Sequence, residues 1–122
     1  MTAERFAECM AARDFAGIEA CLDPGVRFRA LTPNHTWGHF GAASAINTIQ
    51  NWFEDVDFGE LIDVRAGPVG DRVSVGYRLR LHDHNGWHVM EQHAFCVMTD
   101  DRIADISIIC TGNQPDSAES KG

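Results

Sequence analysis

Hydrophobic residues along this chain change their spacing, from helical intervals near the start to strict alternation in the second half. Residues 3 to 13 place Phe6, Cys9 and Met10 on one helical face, and Asp14 is positioned to cap a second short helix through Leu22, which Asp23-Pro24-Gly25 ends. Val26 to Leu31 alternates as a strand with Val26, Phe28 and Ala30 on one face. A polar loop, Thr32 to Gly38, leads to residues 42 to 54, where Ala45, Ile46, Ile49, Trp52 and Phe53 form the stripe of a third helix. Four strands follow over 59–66, 72–82, 87–98 and 102–111, with turns at Gly67-Pro68, Asn85-Gly86 and Asp100-Asp101. This order predicts an α+β fold: a cone-shaped, curved, mostly antiparallel sheet covered by three N-terminal helices and enclosing a pocket. One domain spans residues 1–111, and the polar tail 112–122 reads as disordered.

The hairpin of Val73–Leu81 and Val89–Val97 carries the most chemistry. In its first strand Val73, Val75, Tyr77, Leu79 and Leu81 alternate with Ser74, Gly76, Arg78 and Arg80, a clean division into apolar and polar faces. The second strand divides into Val89, Glu91, His93, Phe95, Val97 and into Met90, Gln92, Ala94, Cys96, Met98, and neither set is wholly polar. Turn length therefore decides which set is enclosed. A two-residue Asn85-Gly86 turn sets Tyr77 opposite Ala94, whereas a three-residue His84-Asn85-Gly86 loop sets Tyr77 opposite His93, Leu79 opposite Glu91 and Val75 opposite Phe95. The three-residue loop gathers the large aliphatic residues on one side, so this register is the expectation. A tight Asp100-Asp101 turn then pairs Phe95 with Ile106, His93 with Ile108 and Glu91 with Cys110.

Composition narrows the classes. The chain has 122 residues, room for a single core, and its 18 acidic against 10 basic side chains argue against nucleic acid as a partner. No apolar run approaches the roughly 20 residues of a membrane helix, and the N-terminal stretch is too acidic for a signal or transit peptide, so a cytoplasmic location without membrane association is expected. Cys9, Cys21, Cys96 and Cys110 lie far apart without a CxxC pair and read as reduced, buried small hydrophobes.

The opening F-A-E-C-M-A-A-R-D-F-A-G-I-E-A-C-L-D-P-G-V-R-F, the stretch W-G-H-F-G-A-A-S-A-I and the ending H-A-F-C-V-M-T-D-D-R-I-A-D-I-S-I carry a resemblance. Over residues 3 to 111 the chain resembles the nuclear-transport-factor-2-like superfamily, the fold of SnoaL-type polyketide cyclases and ketosteroid isomerase. The resemblance implies a cofactor-independent small-molecule enzyme, a lyase, isomerase or hydrolase, or a non-catalytic binder of the same fold. It also implies pairing of two copies through the sheet, consistent with an outer face bearing Met90, Ala94, Cys96, Met98 and Ile109. His93 falls where the isomerase has an oxyanion-binding aspartic acid, while Phe6 and Ala30 stand in place of its tyrosine and general-base aspartate, which disfavours steroid isomerisation.

The candidate catalytic set is therefore His93, Glu91 and Tyr77: an imidazole titrating near neutrality, a carboxylate to act as base or fix its tautomer, and a phenol to donate to substrate. The same three groups in this setting also read as a mutually satisfied polar cluster or as ligand-binding donors without turnover. Phe6, Met10, Phe28, Trp52, Phe53, Phe95, Ile108 and Cys110 are expected to line a pocket for a hydrophobic small molecule. Cys110 is disfavoured as a nucleophile because Glu91 is expected beside it. His82, His84 and His88 at the hairpin tip are similar to the first metal motif of cupins, yet His88 stands where that motif has glutamate. His82 and His88 are expected to face each other on the outer surface, and no metal or cofactor is expected. His35 and His39 flank Trp37 as capping groups or as residues at a pocket entrance.

Overall fold

The computed structural model describes residues 2–112, 114 and 115. Helices α1 (Thr2–Ala12) and α2 (Phe15–Cys21) precede strands β1 (Leu22–Thr32) and β2 (His35–Phe40). Helix α3 (Ala42–Trp52) then leads to β3 (Phe58–Val69), β4 (Arg72–Asp83), β5 (Gly86–Thr99), β6 (Arg102–Cys110) and the two-residue β7 (Gln114–Pro115). The sheet runs β2-β1-β6-β5-β4-β3, with β7 added to β5 beside His88 and Val89. Only the β1–β6 pairing is parallel among the described strands. The α+β class and the mostly antiparallel sheet under three helices follow the sequence pattern.

Local chemistry accounts for most boundaries. Asp14 caps α2, its carboxylate accepting the Gly17 N–H at 2.9 Å. Helix α1 ends at Arg13, whose φ of 54° turns the chain in the left-handed region. Phe6 and Met10 on α1 are buried completely, and α1 lies so close to β3 that a Cβ on Gly59 would stand 2.5 Å from the Ala11 carbonyl oxygen. Ile49 on α3 and Phe28, Ile106 and Ile108 on the strands complete the core between the layers.

Two segments differ from expectation. His35 to Phe40 is an edge strand rather than loop, pairing with β1 through Ala30–Trp37 and Phe28–His39; its polar residues alternate with Trp37, too short a pattern to separate from a loop. Gln114 and Pro115 form β7 although they fall in the expected disordered tail; residues 113 and 116–122 of that tail lie outside the described residues.

The hairpin register also differs, and with larger effect. Asp83 pairs with Gly86 around a two-residue His84-Asn85 turn, so Gly76 opposes His93, Tyr77 opposes Gln92 and Leu79 opposes Met90. Neither turn considered from sequence gives this pairing. The Asp83 carboxylate accepts the Asn85 N–H at 2.8 Å, and Gly86 takes a φ of 108°, which tightens the loop by one residue. The inward set of β5 becomes Met90, Gln92, Ala94 and Cys96, and Glu91, His93 and Phe95 turn outward. Burial energetics favour this choice: the other face would have enclosed a carboxylate and an imidazole, at several kcal/mol each by order of magnitude. The Asp100-Asp101 turn forms as expected, with both residues left-handed, but a bulge after Val97 moves the next pairs by one. Phe95 therefore opposes Ser107, His93 opposes Ile109, and Cys110 opposes Gln92 rather than Glu91. The two offsets compensate, and Ile106, Ile108 and Cys110 keep their inward positions.

Candidate functional site

Successive strands align their side chains in rows across the inner face. One row, Ala66, Val75, Ala94, Ile108, Ala30 and Trp37, is apolar from β3 to β2. The adjacent row, Val64, Tyr77, Gln92 and Cys110, carries the polar groups. Tyr77 and Gln92 are buried, and the Tyr77 hydroxyl donates to Gln92 Oε1 at 2.5 Å. Burial pushes the Tyr77 hydroxyl well above its usual range, with the neighbouring thiols of Cys110 and Cys96 acting in the same direction, so it stays a neutral donor.

With its oxygen taken, the Gln92 amide retains its NH2. That nitrogen is enclosed and has no hydrogen-bond partner among the described residues, and the same holds for Trp52 Nε1. Phe6 of α1 meets Tyr77 edge-on with ring centroids 6.4 Å apart, and Trp52 of α3 packs on Phe28 at 6.0 Å and Trp37 at 6.3 Å. The inner face thus offers aromatic walls, a neutral phenol–amide pair and enclosed N–H groups. Among the described residues its buried polar side chains are Thr48, Gln92 and Tyr77, none of which carries charge near neutrality.

The expected catalytic set is divided by the register. Tyr77 faces inward, while His93 and Glu91 stand on the opposite surface of the sheet. There His93 Nε2 lies 3.0 Å from Glu91 Oε2, and Arg78 reaches Glu91 Oε1 at 3.3 Å. The hydrogen bond from His93, followed by that from Arg78, holds the Glu91 carboxyl below its ordinary range. Gly76 makes room for the imidazole, since a Cβ there would stand 2.8 Å from His93 Cε1. These groups, with Asp63, Arg65 and Ser74, line a recess of about 260 Å³. The His93 side chain is 58% exposed.

Among the residues expected to line a pocket, Phe6, Met10, Phe28, Phe53, Ile108 and Cys110 are buried on the inner side and Trp52 is partly buried against them. Phe95 is not with them; it is exposed on the outer face, a consequence of the same one-residue offset. Sequence reasoning missed Gln92, which belonged to the strand set assigned to the outside. The short Asp83 carboxylate-to-backbone turn was the signal that could have found it.

The remaining histidines have separate partners. His82 bonds Asp57 at 2.8 Å and His88 bonds Asp83 at 3.1 Å, and they do not face each other, because His82 opposes Trp87 and His88 opposes Leu81. Among the described residues no three His, Cys, Asp or Glu side chains converge as metal ligands. His39 ties β2 to α3 through Thr48 Oγ1 at 2.7 Å, and His35 stacks on Trp37 with centroids 4.0 Å apart. Neither caps α3, whose N-cap is Gly41.

Comparison with known proteins agrees with this architecture. An NTF2-like protein of unknown function from Burkholderia pseudomallei superposes with a TM-score of 0.67 at 20% identity, over 98% of this chain and 91% of that one. An LEH-like epoxide hydrolase from M. tuberculosis gives a TM-score of 0.67 at 15% identity, over 89% and 79% of the two chains. A protein with a ketosteroid isomerase-like fold from Catenulispora acidiphila, in complex with trimethylamine, gives 0.71 at 8% identity, over 88% and 82%. At such identities these likenesses concern the fold alone. No curated protein matches the chain in sequence. Among the described residues no helix is long and apolar enough to cross a membrane. The SnoaL-like domain family matches residues 3–106, and the chain belongs to that family.

Proposed function

We propose that this protein binds an uncharged, largely apolar small molecule between helices and sheet, with a hydrogen-bond acceptor of the ligand received by the Gln92 amide. The observation that carries this reading is the enclosed Gln92 Nε2, without a hydrogen-bond partner among the described residues, beside an Oε1 already bonded to Tyr77. A buried donor left without an acceptor costs on the order of 1–3 kcal/mol, so a group that supplies one is bound favourably. Aromatic surfaces of Phe6, Phe28 and Trp52 around the polar row suit an apolar ligand body. Among the described residues the fully buried polar side chains include no carboxylate or imidazole, and the half-buried His39 on this side is tied to Thr48, which favours binding over proton transfer there. Thermal-shift measurements with uncharged apolar ketones and esters test this. Stabilisation that disappears in Gln92→Met supports the reading, and equal stabilisation in that variant refutes it.

A second reading places acid–base catalysis, of the lyase, isomerase or hydrolase kind, at His93 on the outer recess, with Glu91 orienting the imidazole. Its support is the 3.0 Å His93–Glu91 contact backed by Arg78. Turnover that persists in His93→Ala rejects it. We further propose that two copies pair through the outer face of the sheet. Leu31 and Ile109 are direct register partners there, 51% and 54% exposed, with Phe95 nearby on β5. Cytoplasmic residence fits the four free cysteines and is checked by cell fractionation.

A further inference from the structure

We propose that Cys110 is a covalent attachment point for an α,β-unsaturated carbonyl compound seated on the inner face, an inference that rests on Gln92 receiving the ligand's carbonyl oxygen. Cys110 stands directly opposite Gln92 in the β5–β6 ladder, both on the inner face. Opposed residues of an antiparallel pair have Cβ atoms about 4.5–5.5 Å apart, so thiol and amide address the same small volume. The Gly112 N–H donates to Cys110 Sγ at 3.3 Å, which fixes the position of the sulfur. Tyr77 holds the other arm of the Gln92 amide, so its NH2 remains the available donor.

Position distinguishes this thiol from the other three. Cys110 ends β6 at the rim of the sheet, opposite Gln92, whereas Cys96 is fully buried deeper in the layer; Cys9 shares the 8% exposure of Cys110 but has no place in that ladder. Cys9 and Cys21 belong to α1 and α2. The residue opposite Cys110 is neutral, and Glu91, which would repel a developing thiolate, is on the other face.

In the proposed step the sulfur attacks the β-carbon of the enone and a carbon–sulfur bond forms. The π pair of the carbon–carbon double bond moves toward the carbonyl, and the resulting enolate oxygen accepts the Gln92 N–H. The thiol proton passes to water, and a proton from water reaches the α-carbon. The addition is redox-neutral, and nothing leaves. Placing an N–H where oxygen charge develops is how such additions are accelerated.

Cyclohex-2-enone, with cyclohexanone as its unreactive counterpart, tests the inference on the full chain by intact mass and peptide mapping. The expected result is one adduct, mapped to Cys110, absent in Cys110→Ser and formed at least about tenfold more slowly in Gln92→Met. If Gln92→Met loses its native thermal transition, Gln92→Asn replaces it. An equal adduct rate in the Gln92 variant, or labelling of Cys9, Cys21 or Cys96 at the same rate, overturns the inference. Stabilisation by cyclohexanone without any adduct from the enone also overturns it, while leaving the binding reading standing. Neither stabilisation nor adduct removes both.

Discussion

Tyr77 and Gln92 face each other across β4 and β5, both side chains buried, and a 2.5 Å hydrogen bond joins phenol to amide oxygen. Each satisfies one polar atom of the other, so removing either alone strands its partner. Tyr77→Phe is expected to destabilise the fold by about 1–3 kcal/mol in urea denaturation, and Gln92→Leu by a similar amount. The double variant should cost less than the sum of the two, because no phenol or amide is then left unpaired. Strict additivity would show that the bond contributes nothing. The raised Tyr77 pKa has a defined sign: its stabilising effect is complete below the unfolded value near 10 and is lost as pH rises through the folded one. The stability deficit of Tyr77→Phe relative to the parent should therefore shrink as pH rises above about 10.

The Glu91 carboxyl is expected to titrate below the ordinary range because His93 and Arg78 bond its charged form. A depressed folded pKa stabilises the protein above the unfolded value and ceases to do so as pH falls through the folded one. The effect is small because the carboxylate is partly solvated, so it is read best by carboxyl NMR titration. His93→Ala should move the Glu91 midpoint upward. An unchanged midpoint would show that the imidazole is not its principal partner.

Two glycines should respond oppositely to alanine. At Gly76 the new methyl meets the His93 ring, the far end of an exposed side chain that can swing aside, so stability should change by less than about 1 kcal/mol while the Glu91 midpoint rises. At Gly59 the methyl meets the Ala11 carbonyl, which the helix cannot move, and a loss of about 1–3 kcal/mol is expected. Thermal denaturation of the pair decides the matter, and equal losses would contradict it.

Pairing of two copies through Leu31 and Ile109 predicts that Ile109→Arg shifts the protein to monomer in sedimentation velocity at micromolar concentration without lowering its melting temperature by more than a few degrees. A monomeric parent chain under those conditions removes the proposal.

The order of helices and strands was legible because amphipathic periodicity is local: Phe6, Met10 and Ile49 announce buried helix faces, and Val75, Tyr77 and Leu79 announce a buried strand face. The composition of β5 is ambiguous in a way that β4 is not, since Val89, Phe95 and Val97 compete with Met90, Ala94 and Cys96 for the interior. Hydrophobicity counted by size favours the first set. The structure encloses the second, because Glu91 and His93 come with the first and only a neutral Gln92 comes with the second. Turn arithmetic depended on the Asp83 carboxylate closing onto Asn85, a contact of two residues that strand periodicity does not register. The candidate site moved with that turn, from an acid–base triad to an amide and a thiol.

The His84-Asn85 turn has a further consequence for how this fold acquires chemistry. The 14 residues of β5 hold two alternative interiors, one neutral and one ionisable, interleaved on a single strand. By the two-residue period of a strand, a one-residue insertion at the tip that no bulge absorbs exchanges which set faces inward while altering no residue of the strand itself. Loop length, and not side-chain replacement alone, is then a means by which one β5 sequence can present either a neutral inner face or one bearing a histidine and a carboxylate.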